Sequence, residues 1–243
     1  MKGRRCWVTG GSRGLGRAIC LELARRGAKV AFTWSRNAED AADAHAELER
    51  LGTQVLDYQG SVADAKHVQD TAADIVAKWG GIDVLVNNAG VTQILPIAFV
   101  EEADWDAVLD VNVKGAYLCS RAALKPMIRA RSGHILNIGS FGSERVIDAP
   151  VHYAAAKSAL RGLTEALARE VGRYGIKVNL LAPGLLDVGF SRGLPQHRID
   201  EYLDQSAAGR LATVEEMAKL AAFLVSEDNS FMSGAKVVAD GGV

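Results

Sequence analysis

Arg5-Cys6-Trp7-Val8-Thr9-Gly10-Gly11-Ser12-Arg13-Gly14-Leu15-Gly16 is the stretch whose reading decides the fold. Arg5 to Thr9 has the apolar, β-branched character of a strand, and Leu15 to Arg26 is amphipathic, with Ile19, Leu21 and Leu23 among its apolar positions. Between them lies a turn rich in glycine. Such a strand–turn–helix unit brings backbone N–H groups and a helix N-terminus to one point, which suits a phosphate. Outward from it the pattern repeats. Strand-like runs at Lys29–Thr33, Gln54–Tyr58, Ile82–Val86, His134–Ile138, Lys177–Leu181 and Ala235–Ala239 alternate with helix-like runs at Asn37–Leu51, Ala63–Trp79, Trp105–Arg131, Tyr153–Tyr174 and Thr213–Ser226. An irregularity is expected in the long run near Gly115 or Pro126. Strands and helices in alternation specify βαβ crossovers. The expected fold is α/β: a single-domain, doubly wound Rossmann fold with a parallel sheet of about seven strands and helices on both faces. Residues 1–243 read as one dinucleotide-binding domain. The least regular stretch, Pro183 to Arg210, would supply a substrate lid over 185–210.

Composition excludes several classes of function. The 243 residues carry 28 basic and 29 acidic side chains, a formal charge of −1, so nucleic acid and polybasic membrane binding are not expected. Apolar residues make up 49% and charged residues 23%, the balance of a chain that can bury a core. Cys6, Cys20 and Cys119 are scattered and odd in number, which suggests neither a disulfide framework nor a metal site and makes a reducing cytoplasm the expected compartment. No targeting segment or membrane span is visible.

The residues after the second strand choose between nucleotides. A carboxylate there would bind the ribose 2′-hydroxyl of NAD, whereas arginine accommodates the 2′-phosphate of NADP. The chain offers Ser35 and Arg36, with no acid before Glu39, and Arg13 places a second guanidinium within the glycine turn. NADP(H) is the expected cofactor, and no metal is expected.

With these residues in place, the sequence resembles the short-chain dehydrogenase/reductase family over essentially its whole length. Thr9 to Gly16 fits the family's TGxxxGxG, Asn87-Asn88-Ala89-Gly90 its NNAG, and Tyr153-Ala154-Ala155-Ala156-Lys157 its YxxxK. Ser140 lies thirteen residues before the tyrosine, Asn112 lies in the preceding long helix, and Pro183-Gly184 follows the sixth strand. Within the family the sequence is most similar to the 3-oxoacyl-[acyl-carrier-protein] reductases, on Ala154 to Glu170, Ala208-Gly209-Arg210-Leu211 and Asp240-Gly241-Gly242. The resemblance implies a catalytic set of Asn112, Ser140, Tyr153 and Lys157. It implies a cofactor set of Gly10, Ser12, Arg13, Gly14, Leu15, Gly16, Ser35, Arg36, Ser61, Val62, Asn88, Ala89, Gly90, Tyr153, Lys157, Pro183, Gly184 and Leu186.

The chemistry can be read from the residues themselves. Reducing a ketone needs a hydride on carbon and a proton on oxygen. A free phenol, with a pKa near 10, is a sluggish acid at neutral pH. Lys157 lies one helical turn beyond Tyr153, where its ammonium would lower that pKa. By resemblance, Ser140 would polarise the substrate carbonyl, Lys157 would also hold the nicotinamide ribose, and Asn112 would join a water relay. Two departures from the family pattern stand out. Ser61-Val62 replaces an Asp-Val that contacts adenine, and Val188 replaces a threonine near the nicotinamide.

The expected activity is NADPH-dependent reduction of a 3-oxoacyl thioester, on acyl-carrier protein or coenzyme A, in fatty-acid or polyketide metabolism. Alternatives are a dehydrogenase for a sugar, steroid, aromatic polyketide or other small alcohol or ketone, and, more distantly, a non-catalytic NADP-binding sensor. The substrate loop, Phe141 to Val151, carries Glu144, Arg145 and Asp148. Arg129, Arg131 and Arg173 would either dock an acidic carrier protein or be solvated helix ends. A homotetramer or homodimer through the two long helices is expected from the resemblance. Ala154, Ala155 and Ala166 would serve that contact or simple burial on the sheet.

Overall fold

In β1 (Arg5–Thr9), Cys6 and Val8 face one way and Trp7 the other, and all three are fully buried. This requires cover on both faces, as in a parallel sheet. The computed structural model describes residues 1–145 and 147–243. Its elements follow as α1 (Gly14–Arg25), β2 (Lys29–Trp34), α2 (Ala38–Arg50), β3 (Val55–Gln59), α3 (Ala65–Trp79), β4 (Val84–Asn87) and α4 (Glu102–Leu109). Then come α5 (Gly115–Ala130), β5 (Gly133–Ile138), α6 (Val151–Val171), β6 (Ile176–Pro183), α7 (Gln196–Gln205), α8 (Val214–Leu224) and β7 (Lys236–Ala239).

The seven strands are all parallel, in the order β3-β2-β1-β4-β5-β6-β7. On one face Cys6, Val8, Val30 and Phe32 pack against Ile19 and Leu23 of α1, Leu48 of α2 and Ala221 of α8. On the other, Trp7, Ala31, Leu85 and Ile135 meet Ile75 of α3, Cys119 and Met127 of α5, and Val171 of α6. The direction of winding reverses between β1 and β4, so the loops leaving their C-terminal ends diverge and open a crevice there. The expected α/β architecture is thus the one observed.

Two elements differ from the expectation. The run Trp105–Arg131 is not one helix: α4 begins at Glu102, and a π-helical turn over Asp110–Lys114 separates it from α5. The break falls just before Gly115, while Pro126 remains inside α5. The irregular stretch Pro183–Arg210 contains α7, whose only fully buried side chain is Tyr202. A helix held by so few apolar contacts leaves little periodicity to read.

Candidate active site

A cleft of about 2070 Å³ lies where the carboxyl ends of β1, β4, β5 and β6 meet α4, the loop after β5, and α7. Its first wall is the glycine turn. Gly10 has φ +66°, and a Cβ on it would sit 3.1 Å from Ala89 Cα. A Cβ on Gly16 would come within 2.0 Å of the Gly10 carbonyl oxygen, so no larger residue fits this turn. Asn37 caps α2, Asp64 caps α3 and Thr213 caps α8, but Arg13 makes no side-chain cap on α1. The amide dipoles of α1 thus face the cleft without an internal anion.

The NNAG segment braces this turn. Thr9 Oγ1 accepts from the backbone N–H of Asn88 and of Ala89, each at 3.0 Å. Asn88 Nδ2 donates to the carbonyls of Thr9 at 2.9 Å and Gly10 at 3.1 Å. The Asn88 side chain therefore holds the shape of the glycine turn. Sequence reasoning missed Thr9 as its partner; the sign was a hydroxyl at the last buried position of a strand. Beneath, Asn87 donates to Ser120 at 3.0 Å and to Asn137 at 2.8 Å, and Asn137 donates to Thr164 at 2.9 Å. This buried network ties β4, β5, α5 and α6 together directly below the cleft.

Arg13, Ser35 and Arg36 are exposed on the cleft rim, and neither arginine has an ion-pair partner among the described residues. Arg17, nearby, is paired with Glu47 at 2.8 Å. Ser61 also lines the cleft, but its hydroxyl accepts from the Ala63 N–H at 3.2 Å, while Val62 is buried against Gly115. Ser12, Leu15, Ala89, Gly90, Pro183, Gly184, Leu186 and Val188 all line the same cavity.

At the cleft floor four residues converge from different elements. Ser140, at the end of β5, hydrogen-bonds Tyr153 in the first turn of α6. Lys157 is 4% exposed; its Nζ donates to the Ile138 carbonyl at 2.9 Å and lies 5.7 Å from the centroid of the Tyr153 ring. Asn112 stands in the π turn, where Nδ2 donates to the carbonyls of Val91 at 2.8 Å and Val108 at 2.9 Å. Its buried Oδ1 has no partner among the described residues. A Cβ on Gly90 would lie 2.7 Å from that oxygen and 3.4 Å from Lys157 Nζ, so the bare glycine leaves both atoms facing one small space. A buried acceptor and a buried ammonium around such a gap suit a water.

Burial pushes Lys157 down to about 8, because a charge gains less from protein than from water. Burial raises the Tyr153 phenol, and the hydrogen bond with Ser140 offsets part of that rise. The expectation that Lys157 lowers the phenol is therefore not what dominates here. The Lys157 ammonium is aimed at the Ile138 carbonyl and the ring face, and burial prevails. His152, beside the tyrosine, is fully buried and is not among the residues lining the cleft.

The outer wall is built by α7. Tyr202 donates its hydroxyl to the Asp240 carbonyl at 2.7 Å and meets Phe141 edge-on, ring centroids 5.3 Å apart. Its hydroxyl occupies the place that a side chain on Gly184 would need, 2.2 Å from such a Cβ. Residues 185–187 pair with Ala212 through Leu185 O and Asp187 N, both at 3.1 Å. Arg129, Arg131 and Arg173 lie at the ends of α5 and α6 that lead into β5 and β6, hence at the opposite edge of the sheet from the cleft.

Fold and site together define a class, the oxidoreductases built on a doubly wound parallel sheet. A family model described as Enoyl-(Acyl carrier protein) reductase matches residues 10–243. The chain is 38% identical over 237 residues to 3-oxoacyl-[acyl-carrier-protein] reductase FabG of Chlamydia muridarum, covering 97% of this chain and 95% of that protein. It is 38% identical over 246 residues to the protein of the same name from Pseudomonas aeruginosa, covering 100% and 98%. The solved structure of a short chain dehydrogenase from Burkholderia cenocepacia in complex with NADP matches with a TM-score of 0.93 at 36% identity, covering 99% of this chain and 98% of that one. The chain belongs to the short-chain dehydrogenase/reductase family. Among the described residues no helix is long and apolar enough to cross a membrane.

Proposed function

We propose that the protein is an NADPH-dependent ketoreductase that converts a 3-oxoacyl thioester to the 3-hydroxyacyl thioester. One observation carries the reading: Ser140, Tyr153 and Lys157 converge at the floor of a cleft whose other end is a glycine turn without an internal anion. The residues fit a dinucleotide. The turn around Gly10, Gly14 and Gly16 and the start of α1 would hold the pyrophosphate, with Ser12 and Leu15 beside it. Arg13, Ser35 and Arg36 would take the 2′-phosphate, and Ser61 and Val62 would flank the adenine. Asn88, Ala89 and Gly90 would shape the middle of the site. Pro183, Gly184 and Leu186 would border the nicotinamide. When bound, the cofactor supplies the hydride.

The chain's own groups supply the proton and the orientation. Ser140 and Tyr153 present two hydroxyls to one oxygen, a geometry that serves C=O better than C=C, where the proton must reach carbon. Tyr153 donates its proton to the developing alkoxide, and Ser140 holds the carbonyl through a hydrogen bond. Lys157 favours the tyrosinate that remains, and a water held by Asn112 Oδ1 restores the proton. The similarity to proteins named 3-oxoacyl-[acyl-carrier-protein] reductase supports the thioester. A carrier protein seated on Arg129, Arg131 and Arg173 would face away from this chain's own cleft, which favours thioesters presented as small molecules or on coenzyme A. We place the activity in the cytoplasm, treat residues 1–243 as one catalytic domain, and assign 185–210 as its lid.

The test is steady-state oxidation of NADPH with acetoacetyl thioesters, set against a simple ketone and an enoyl thioester. The expected result is turnover of the 3-oxo compound well above both. Equal rates with the simple ketone would remove the thioester, and preference for the enoyl compound would remove carbonyl reduction. Tyr153→Phe is expected to lower kcat by at least about a hundredfold while NADPH binding, followed by fluorescence, stays near wild type. Unchanged turnover in that variant would overturn the role of Tyr153.

A further inference from the structure

Three charged side chains at the outer wall of the cleft have no part in the chemistry above. Arg198 of α7 pairs through Nη2 with Asp148 of the loop after β5, and through Nη1 with Glu201 at 2.9 Å. All three line the cleft. The group joins the substrate loop to the lid helix at the mouth and carries two carboxylates against one guanidinium. Asp104 of α4 adds another carboxylate to the lining. Apart from buried Lys157 and Arg198 itself, the cations lining the cleft among the described residues are Arg13, Arg17 and Arg36, which gather at the glycine turn. One cavity is thus divided by charge: among the described residues Arg13 and Arg36 stand unpaired at the phosphate end, where Arg17 is held by Glu47, while Asp104, Asp148 and Glu201 outnumber Arg198 on the lid side.

We infer that Asp148, Arg198 and Glu201 form a charge filter that admits neutral 3-oxo esters and thioesters and rejects ketones carrying a carboxylate within a few bonds of the carbonyl. This rests on the ketoreductase reading above and specifies its substrate class. Arg198 alone would attract an anion. Held between two carboxylates it attracts an anion far less, because the three side chains together carry a net negative charge and its Nη1 and Nη2 already face Glu201 and Asp148. Rejection through unfavourable charge is a common route to specificity. The side chains are 38–69% exposed, so the effect is screened and falls with added salt.

Two matched pairs of substrates test the filter on the full-length protein with NADPH. The first is acetoacetyl-N-acetylcysteamine against the acetoacetyl thioester of mercaptopropionate, and the second is ethyl acetoacetate against acetoacetate. The neutral member of each pair is expected to have the higher kcat/KM by about tenfold or more at low salt, mainly through KM. In Asp148→Asn/Glu201→Gln the ratio is expected to narrow at least about threefold. Glu201→Gln alone keeps the pair between loop and helix, so it separates charge from closure. A filter gives it an intermediate ratio, whereas a purely structural latch gives it the wild-type ratio. Parity or preference for the anion in the wild-type protein, or a ratio unmoved by the double variant, would overturn the inference while leaving the ketoreductase reading intact. Absence of turnover with all four compounds would instead remove that reading, and the filter with it.

Discussion

Lys157 costs the fold stability for the sake of its position. Its value of about 8 lies below the ordinary 10.5, so the folded state releases a proton that the unfolded chain keeps. Stability from this group is therefore lowest below about pH 8, rises between about 8 and 10.5, and levels off above the unfolded value. Lys157→Met should make the protein more stable to urea by about 1–3 kcal/mol at pH 7, with the gain shrinking as the pH approaches 10, and should nearly abolish turnover. A variant less stable at pH 7 would show that the bond to Ile138 outweighs the burial of charge. At the other end of the cleft, Arg13 and Arg36 carry the choice of nucleotide. Arg36→Glu should lower the kcat/KM preference for NADPH over NADH by about tenfold or more; an unchanged ratio would exclude Arg36 from that choice. Both arginines were legible in the sequence, because their position after a strand and within a turn is local. The state of Lys157 was not, since it depends on what covers it.

Among the elements, the π turn over Asp110–Lys114 does most to build the site. It carries Asn112 inward, and Asn112 Nδ2 donates to the buried Val108 carbonyl, four residues back. The same amide reaches Val91 in the loop after β4. Asn112→Ala should therefore strand two carbonyls, one of them buried, lowering stability by about 2–4 kcal/mol in urea titrations, and should cut kcat as well. A variant of normal stability would mean that the turn is held by something else. The sequence predicted an irregularity near Gly115 or Pro126 and placed Asn112 in a catalytic set by resemblance. Helical periodicity continues through a π turn with one residue added, so the exact site of the break was not readable. The helix α7 escaped for a related reason. Tyr202 is its one buried residue, and the seat of that ring against Gly184, Phe141 and Asp240 joins positions far apart in the chain.

For the whole molecule, the faces of α5 and α6 turned away from the sheet bear a groove that includes Tyr117, Leu124, Ile128, Leu163 and Leu167. Tyr117 is 47% exposed, and Ala155 and Ala166 are also exposed, so these alanines are not spent on burial against the sheet. We propose that a second copy of the chain covers this face, giving a homodimer or homotetramer. Light scattering should show a mass that is a multiple of 25.9 kDa, and Ala166→Arg should reduce it without altering the far-ultraviolet circular dichroism. A monomeric wild-type protein would remove the proposal.

The sequence by itself determined the alternation of strand and helix, the doubly wound sheet and the glycine turn, because each rests on periodicity or on residues adjacent in the chain. It also placed Ser140, Tyr153 and Lys157 at the ends of the right elements. Only the tertiary structure decided that Lys157 is buried and shifted down, that Asn88 is spent on bracing Thr9 and Gly10, and that Asp148 meets Arg198 across the cleft mouth. These depend on desolvation and on contacts between positions as many as 79 residues apart, which no local pattern encodes.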